Sequence, residues 1–269
     1  MTQRSAPQSR TRGRGGPRQS GRPRSAATGA DASGATVKGD ATRVDGPSAS
    51  PHLRRARRDR GAETRAQLID AALDVFGRLG YEGASTREIA RAANANLAAI
   101  VYHFGGKEAL HVAVAEHIAA SIAGRIGPTL AAVAAPEAAA TPTAARASLS
   151  RLIGTVVDVL LGSAEAERWA RFIVREQMQP TAAFDVIYRF LGGAVTTATG
   201  LAAAALERPE DETLRARVFT IIGQVLVFRV AQTLVLRRMD WPEIGARERE
   251  LIKRIVTENT SAILAAGGS

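Results

Sequence analysis

The chain has 269 residues, enough for one large domain or two modest ones, and its 45% apolar but only 4% aromatic content favours close-packed helices over a sheet. It has no cysteine, which excludes disulfides, thiolate zinc sites and a cysteine nucleophile. The net charge of +10 is confined: residues 1–62 carry 14 Arg and Lys against 4 Asp and Glu, while residues 63–269 carry 22 of each and are neutral.

Residues 1–62 are rich in Arg, Gly, Ser and Pro and nearly devoid of large apolar side chains. Such a segment cannot bury enough surface to offset the entropy of ordering, and a disordered basic tail is expected. It reads either as an arm that touches polyanions or as a solvated tail. No apolar stretch of the kind that export signals carry follows "RRARR".

From Glu63 the apolar period is helical. Leu68, Ala72, Val75, Phe76 and Leu79 fall on one helix face, with a Thr64-x-x-Gln67 capping box expected to start the helix and Gly80 to stop it. In "STREIARAA" a second box pairs Ser85 with Glu88, and Ile89, Ala92 and Ala93 supply a short apolar face. Asn94 tolerates the left-handed conformation a tight turn needs, and Asn96 can cap the next helix. Two short helices so joined form a helix-turn-helix. Beyond Gly105-Gly106 a longer helix is expected from Lys107 to Ile126, ended by Gly127-Pro128, and "AAVAAPEAAATPTAA" reads as a flexible connection. Further helices are expected at about 143–161, 165–178, 181–206, 210–238 and 242–265, with no alternating strand pattern. The fold class is all-α.

The segment Leu97–His103 has the character of a reading helix. Ile100 and Phe104 face inward, and small Ala98 and Ala99 permit close approach to base edges, where an alanine methyl can meet a thymine methyl. Tyr102 and His103 can each donate to a phosphate, or else simply pack or face solvent. Lys107 opens a helix whose N-terminus already carries partial positive charge, an unfavourable placement unless an anion sits between them. A DNA phosphate is the obvious anion. Thr86 and Arg87, in the first turn of the preceding helix, offer a second clamp of this kind.

"STREIARAANANLAAIVYHFGGKEAL" resembles the DNA-binding segment of the TetR family of bacterial transcriptional regulators. Thr86, His103, Phe104, Lys107 and Leu110 fall on positions of the family pattern. The usual Gly-Val of the turn is Asn94-Ala95 here, and the usual tyrosine position is Val101, with Tyr102 beside it. "NLAAIVYHFGGKEAL", "REQMQPTAAF" and "GQVLVFRVAQTLVLRRMDWP" resemble the CecR-like branch, so the likeness covers about residues 63–265. The resemblance implies phosphate contacts from Thr86, His103 and Lys107, and base contacts from Asn96, Leu97, Ala98 and Ala99. It further implies a three-helix DNA-binding domain at 63–110, and a larger helical regulatory and dimerisation domain at 111–269 enclosing a small-molecule pocket.

Val218–Leu236 is apolar nearly all round and must be buried on most sides. Arg229 and the two glutamines within it argue against a membrane span. This helix and the amphipathic last one are expected to form a homodimer interface. A dimer would present two reading helices about one DNA turn apart, ~34–36 Å, and would read an inverted repeat in double-stranded operator DNA. For an unidentified small-molecule effector, Trp169, Phe172, Arg175, Glu176, Phe184 and Tyr188 are the candidate pocket, aromatic walls with a few polar groups; the alternative is that these aromatics are core. The four histidines lack metal spacing, no catalytic constellation stands out, and neither metal, cofactor nor enzymatic activity is expected. The expected location is cytoplasmic. The leading reading is a repressor released by its effector; the rival is a nucleoid-type protein coating DNA through the Arg-rich tail.

Overall fold

The structure is a computed structural model and describes residues 51–266, with side chains from Asp59 onward. The expected basic tail lies, over residues 1–50, outside the described residues. Those described form ten α-helices and no strand: α1 (Pro51–Gly83), α2 (Thr86–Ala92), α3 (Leu97–Phe104), α4 (Lys107–Val133), α5 (Pro142–Leu161), α6 (Ala164–Met178), α7 (Ala182–Leu206), α8 (Glu212–Val230), α9 (Gln232–Met239) and α10 (Ala246–Ala265).

Several boundaries differ from the sequence reading. α1 begins at Pro51, so Thr64 is not a cap; its hydroxyl donates back to the Arg60 carbonyl, 2.9 Å away, as a mid-helix threonine does. Gly80 does break the helix, at φ 76°, but one further turn runs on to Gly83. α4 passes through Gly127-Pro128 to Val133. Proline lacks the N–H owed to Gly124, and that loss falls on an exposed turn where water can replace it. The expected flexible connection shrinks to a few residues around a 3-10 turn at Pro136–Ala139.

The core places Leu68, Phe76, Ile89, Ile100 and Leu110 under α1 to α4, and Trp169, Phe172, Leu214, Ile252 and their neighbours under α4 to α10. α4 belongs to both regions, packing on α1 at one end and on α5 and α7 along its length. α6 is tied to α1 as well. Arg168 reaches Asp70 at 2.8 Å and Asp74 at 2.6 Å, and Arg175 donates to the carbonyls of Gly77 and Arg78.

The single helix expected over 210–238 is two. α8 and α9 meet at Ala231 with a bend of 76°. Arg229 spans the joint: it turns inward and donates to the Leu160 carbonyl at the end of α5 and to Gln232 Oε1. A cation there meets both the orphan carbonyl and the negative end of the α5 dipole. Among the described residues no single helix is long and apolar enough to cross a membrane.

Candidate nucleic-acid interface

Local side-chain hydrogen bonds set the geometry of α2 and α3. Ser85 Oγ accepts from Glu88 N–H at 3.1 Å and starts α2. The other half of the expected box is diverted, since the Glu88 carboxylate pairs with Arg78 at 2.9 Å. Ala90 and Ala93, not Ala92, join Ile89 in the core. Asn94 takes φ 49° to make the turn, and Asn96 Oδ1 accepts from Ala98 N–H at 2.9 Å to cap α3. Each side-chain cap stabilises its helix by about 1 kcal/mol. Gly105, at φ 84°, closes α3 in the left-handed conformation that glycine adopts without strain.

α3 is thereby pinned by its inner face and left open on its outer one. Ile100 is buried and Phe104 packs beneath it, with the Arg65 guanidinium 5.1 Å above the Phe104 ring. Asn96, Leu97 and Ala98 are exposed, while Ala99 is half-buried. Tyr102 is 84% exposed and Val101 64% exposed, so both side chains lie on the open face. From the sequence Val101 reads only as the position where the family pattern has a tyrosine; its spacing of four from Leu97 is the signal that it shares the open face. His103 is half-buried, its ring 4.9 Å edge-on to that of Tyr102. Arg87 is exposed and Thr86 half-buried at the start of α2.

Lys107 has a partner within the chain. Its ammonium lies 4.4 Å over the Tyr81 ring, a cation–π contact worth roughly 0.5–1 kcal/mol. Tyr81 thus offsets part of the unfavourable helix-dipole placement. The N-cap of α4 is Gly106, which contributes no side-chain cap, so the first-turn N–H groups of α4 remain available beside that ammonium.

The six candidate pocket residues do not come together. Trp169, Phe172 and Glu176 are buried, but Arg175 is exposed and spent on α1. Tyr188 is 64% exposed, with the half-buried Phe184 ring stacked 6.0 Å from it on the outer side of α7. Helical spacing placed them on adjacent turns, but Arg175 and Tyr188 project away from the buried faces of their helices. Two of the buried three, Phe172 and Glu176, instead meet His111. Its ring stacks on Phe76 at 4.4 Å and meets Phe172 edge-on at 4.8 Å. His111 Nε2 lies 3.1 Å from Glu176 Oε1 but is not aligned as a hydrogen bond, while Glu176 Oε2 accepts from the N–H and hydroxyl of Thr181 at the start of α7. Burial first, and the Lys107 charge second, push the His111 pKa down to about 4. A cavity of about 60 Å³ beside it, lined by Tyr81, Glu108, His111, Val112, Thr181 and Ala182, is far below the ~300 Å³ a drug-sized ligand needs.

A capped, outward-facing third helix on a compact three-helix support, joined by a shared helix to a larger helical body, defines a helix-turn-helix DNA-binding protein. Comparison with known proteins gives the family. Residues 68–114 match the model described as bacterial regulatory proteins, tetR family, and residues 145–267 match the C-terminal domain of the HTH-type transcriptional dual regulator CecR. The chain is 34% identical to the CecR regulator of Shigella flexneri over 210 residues, covering 76% of this chain and 93% of that protein. It is 31% identical to the probable regulator YttP of Bacillus subtilis over 113 residues, 42% of this chain and 50% of that one. Among solved structures, AibR in complex with isovaleryl coenzyme A and operator DNA shares the fold at a TM-score of 0.54 and 17% identity, over 72% of this chain and 96% of that one. A TetR-like regulator from Rhodococcus sp. RHA1 does so at 0.52 and 16% identity, over 74% and 96%. The chain belongs to the TetR family of bacterial regulatory proteins, in its CecR-like branch. It is a DNA-binding transcriptional regulator and not an enzyme.

Proposed function

We propose that the chain is a homodimeric repressor that reads an inverted-repeat operator with α3 and is released by a small-molecule effector. Residues 63–110 form its reading unit and 111–269 its regulatory and dimerisation unit. The observation that carries the proposal is the open face of α3, with Leu97, Ala98, Val101 and Tyr102 toward solvent and Asn96 at its start. Leu97, Ala98 and Ala99 supply apolar contacts to base edges, and Asn96 a side chain able to hydrogen-bond them. Thr86, Arg87, Tyr102, His103 and Lys107 surround them as phosphate contacts that fix register. The Shigella relative is called a dual regulator; repression is the part proposed for this chain.

Lys107→Ala is expected to weaken binding to every DNA sequence alike and to reduce the slope of log K against log salt by about 1 per protomer, about 2 for the dimer. Titrations of specific and random duplexes at several salt concentrations read this directly, and an unchanged slope removes Lys107 from the interface.

Dimerisation is assigned to α8 and α9. Phe219, Gly223, Leu226, Val227, Val230 and Leu234 recur at helical spacing and are exposed, an apolar stripe that a lone chain leaves in water. α10 has a smaller part than its sequence pattern implied, because Ile252, Val256 and Leu264 are already buried within this chain. Val230 is 63% exposed, so Val230→Asp costs the folded monomer little. It should dissociate the dimer in sedimentation and lower operator affinity by roughly 10²–10⁴ as the second reading helix is lost. A dimeric Val230→Asp protein would place the interface elsewhere.

The effector is proposed to favour a second state in which α4 shifts, because α4 alone runs from the Lys107 turn into the core of the larger body. Such a shift requires the ligand to bind the two states with different affinity.

A further inference from the structure

α4 joins the reading helices to the larger body through the chain itself, and a second connection runs through α6. α1 and α6 lie side by side in the same direction, because their contacts advance together: Asp70 and Asp74 meet Arg168, Gly77 meets Arg171, and the carbonyls of Gly77 and Arg78 meet Arg175. At the middle of this seam α1 presents no side chain. Gly77 is buried, and a Cβ there would lie 3.6 Å from Arg171 Cβ and 3.7 Å from the Phe172 nitrogen, so glycine lets the two backbones close up. Guanidinium groups hold both ends. Arg168 reaches the Asp74 carboxylate at 2.6 Å, and the carboxylate and the carbonyl of Asp70 at 2.8 Å each. Arg175 lies against the break at Gly80, where a Cβ would be 3.3 Å from its Nη1, and donates to the Gly77 carbonyl at 2.8 Å and to the Arg78 carbonyl. A helix interrupted there leaves carbonyls short of backbone donors and presents the negative end of its dipole, and a guanidinium answers both. Three of these five acceptors are backbone carbonyls of α1, so the arginines fix where the helix lies and not only its charge. The hold is passed on: Arg78, whose carbonyl Arg175 takes, pairs through its own side chain with Glu88 in the first turn of α2, and α2 packs on α3.

We infer that Arg168 and Arg175 are positioning residues for DNA recognition, clasping α1 to the larger body so that α3 keeps one orientation relative to the dimer interface. This role rests on the dimeric reading proposed above. Two reading helices engage an inverted repeat together only when their separation and tilt are fixed, and apparent affinity falls with the fraction of molecules that hold that geometry. A single head on a random duplex, held by phosphate contacts, makes no such demand. The clasp therefore acts on specific binding and leaves non-specific binding as it is, although neither arginine touches DNA.

The test removes the clasp and then replaces it with a covalent bond. Arg168→Met/Arg175→Met in the full-length protein deletes the donors and keeps the apolar stems. The chain has no cysteine, so Gly77→Cys/Arg171→Cys introduces its only two thiols, at a Cβ separation of 3.6 Å that suits a disulfide. Arg171 gives up only an exposed pair with Glu167 on its own helix. The cysteine pair is placed in both the wild-type and the methionine backgrounds, and each protein is titrated by anisotropy, oxidised and reduced, on a selected inverted repeat and on a random duplex. The methionine pair should lose roughly 10–100-fold on the repeat but less than about twofold on the random duplex, with its salt slope there unchanged. Oxidation of the cysteine pair in that background should restore repeat binding, and reduction should undo the restoration. Arg175→Lys, a milder change that keeps one ammonium, should show the same selective loss at smaller size. In the wild-type background oxidation should leave repeat binding as it was. A methionine pair that binds the repeat like wild type, or that oxidation fails to restore, overturns the inference and leaves α3 as the reader; so does repeat binding lost when the wild-type background is oxidised. A wild type that does not distinguish the repeat from the random duplex overturns the dimeric reading beneath it as well.

Discussion

Arg229→Met is expected to destabilise the protein by about 3 kcal/mol and to loosen the proposed dimer at the same time. Arg229 is only 8% exposed, and its guanidinium holds the Leu160 carbonyl and Gln232 Oε1 across the joint between α8 and α9. Burial pulls its pKa below the ordinary arginine value, with Glu167 acting weakly the other way. Methionine keeps much of the volume but removes every donor. The terminal carbonyl of α5 is left without its cation, and hydrogen bonds to charged groups are worth roughly 1.5–3 kcal/mol each, offset in part because no charge need then be desolvated. Arg229→Lys should be intermediate, since one ammonium cannot reproduce the fork. The bend at Ala231 sets how α9 continues the apolar stripe of α8, so dimer dissociation should rise along with the loss of stability. Urea midpoints and sedimentation at matched concentration measure the two effects. An Arg229→Met protein as stable as wild type would mean that the joint is held by its apolar packing alone.

Stability is expected to fall by up to about 3 kcal/mol between pH 6.5 and pH 4 through His111 alone. The ring is 2% exposed, among Phe76, Tyr81 and Phe172, and burial followed by Lys107 holds its pKa at about 4. An unfolded histidine titrates near 6.5, so below that pH the unfolded chain binds a proton that the folded one refuses. The contribution is therefore complete above about pH 6.5 and is lost as pH falls towards 4; the gap between 6.5 and about 4, at 1.36 kcal/mol for each tenfold change in proton affinity, sets its size. The charged groups nearby are Lys107 and Glu108 on α4 and Glu176 on α6. Glu176 is the one that could reverse the sign, but one of its oxygens is engaged by Thr181 and the other is not aligned with the imidazole. His111→Phe should flatten the stability profile across this range. If wild type instead gains stability on acidification and His111→Phe abolishes the gain, His111 and Glu176 form an ion pair and the assigned direction is wrong.

The parts of the fold legible in the sequence were those written in short-range chemistry. Ser85, Asn94 and Asn96 act on backbone groups within three residues, so the second and third helices and their turn can be read directly from the letters. The same logic misplaced the start of α1. A threonine three residues before a glutamine looks like a cap, but it sits equally well in mid-helix when its hydroxyl bonds backward, and the arginine-rich turns before it have no apolar face to announce them. Gly127-Pro128 looked like a stop, but packing of α4 on α5 and α7 outweighs one lost hydrogen bond. The α8–α9 joint was invisible because the contact that spans it, Arg229 to Leu160, joins positions 69 apart. The pocket residues were chosen by chemical type and helical spacing. Those cannot tell Trp169 and Phe172, which became core, from Tyr188, which faces water.

The central claim is that two copies of α3 read one DNA site. It is tested most directly by selecting binding sites for the wild-type protein from random-sequence duplexes, then footprinting and weighing the complex. An enriched inverted repeat with half-site centres about one helical turn apart, ~34–36 Å, bound by an even number of chains and surviving excess non-specific competitor, is the predicted result. Sequences without a shared motif, bound in a salt-sensitive smear that competitor removes, would contradict it and leave a DNA-coating protein driven by its basic segment.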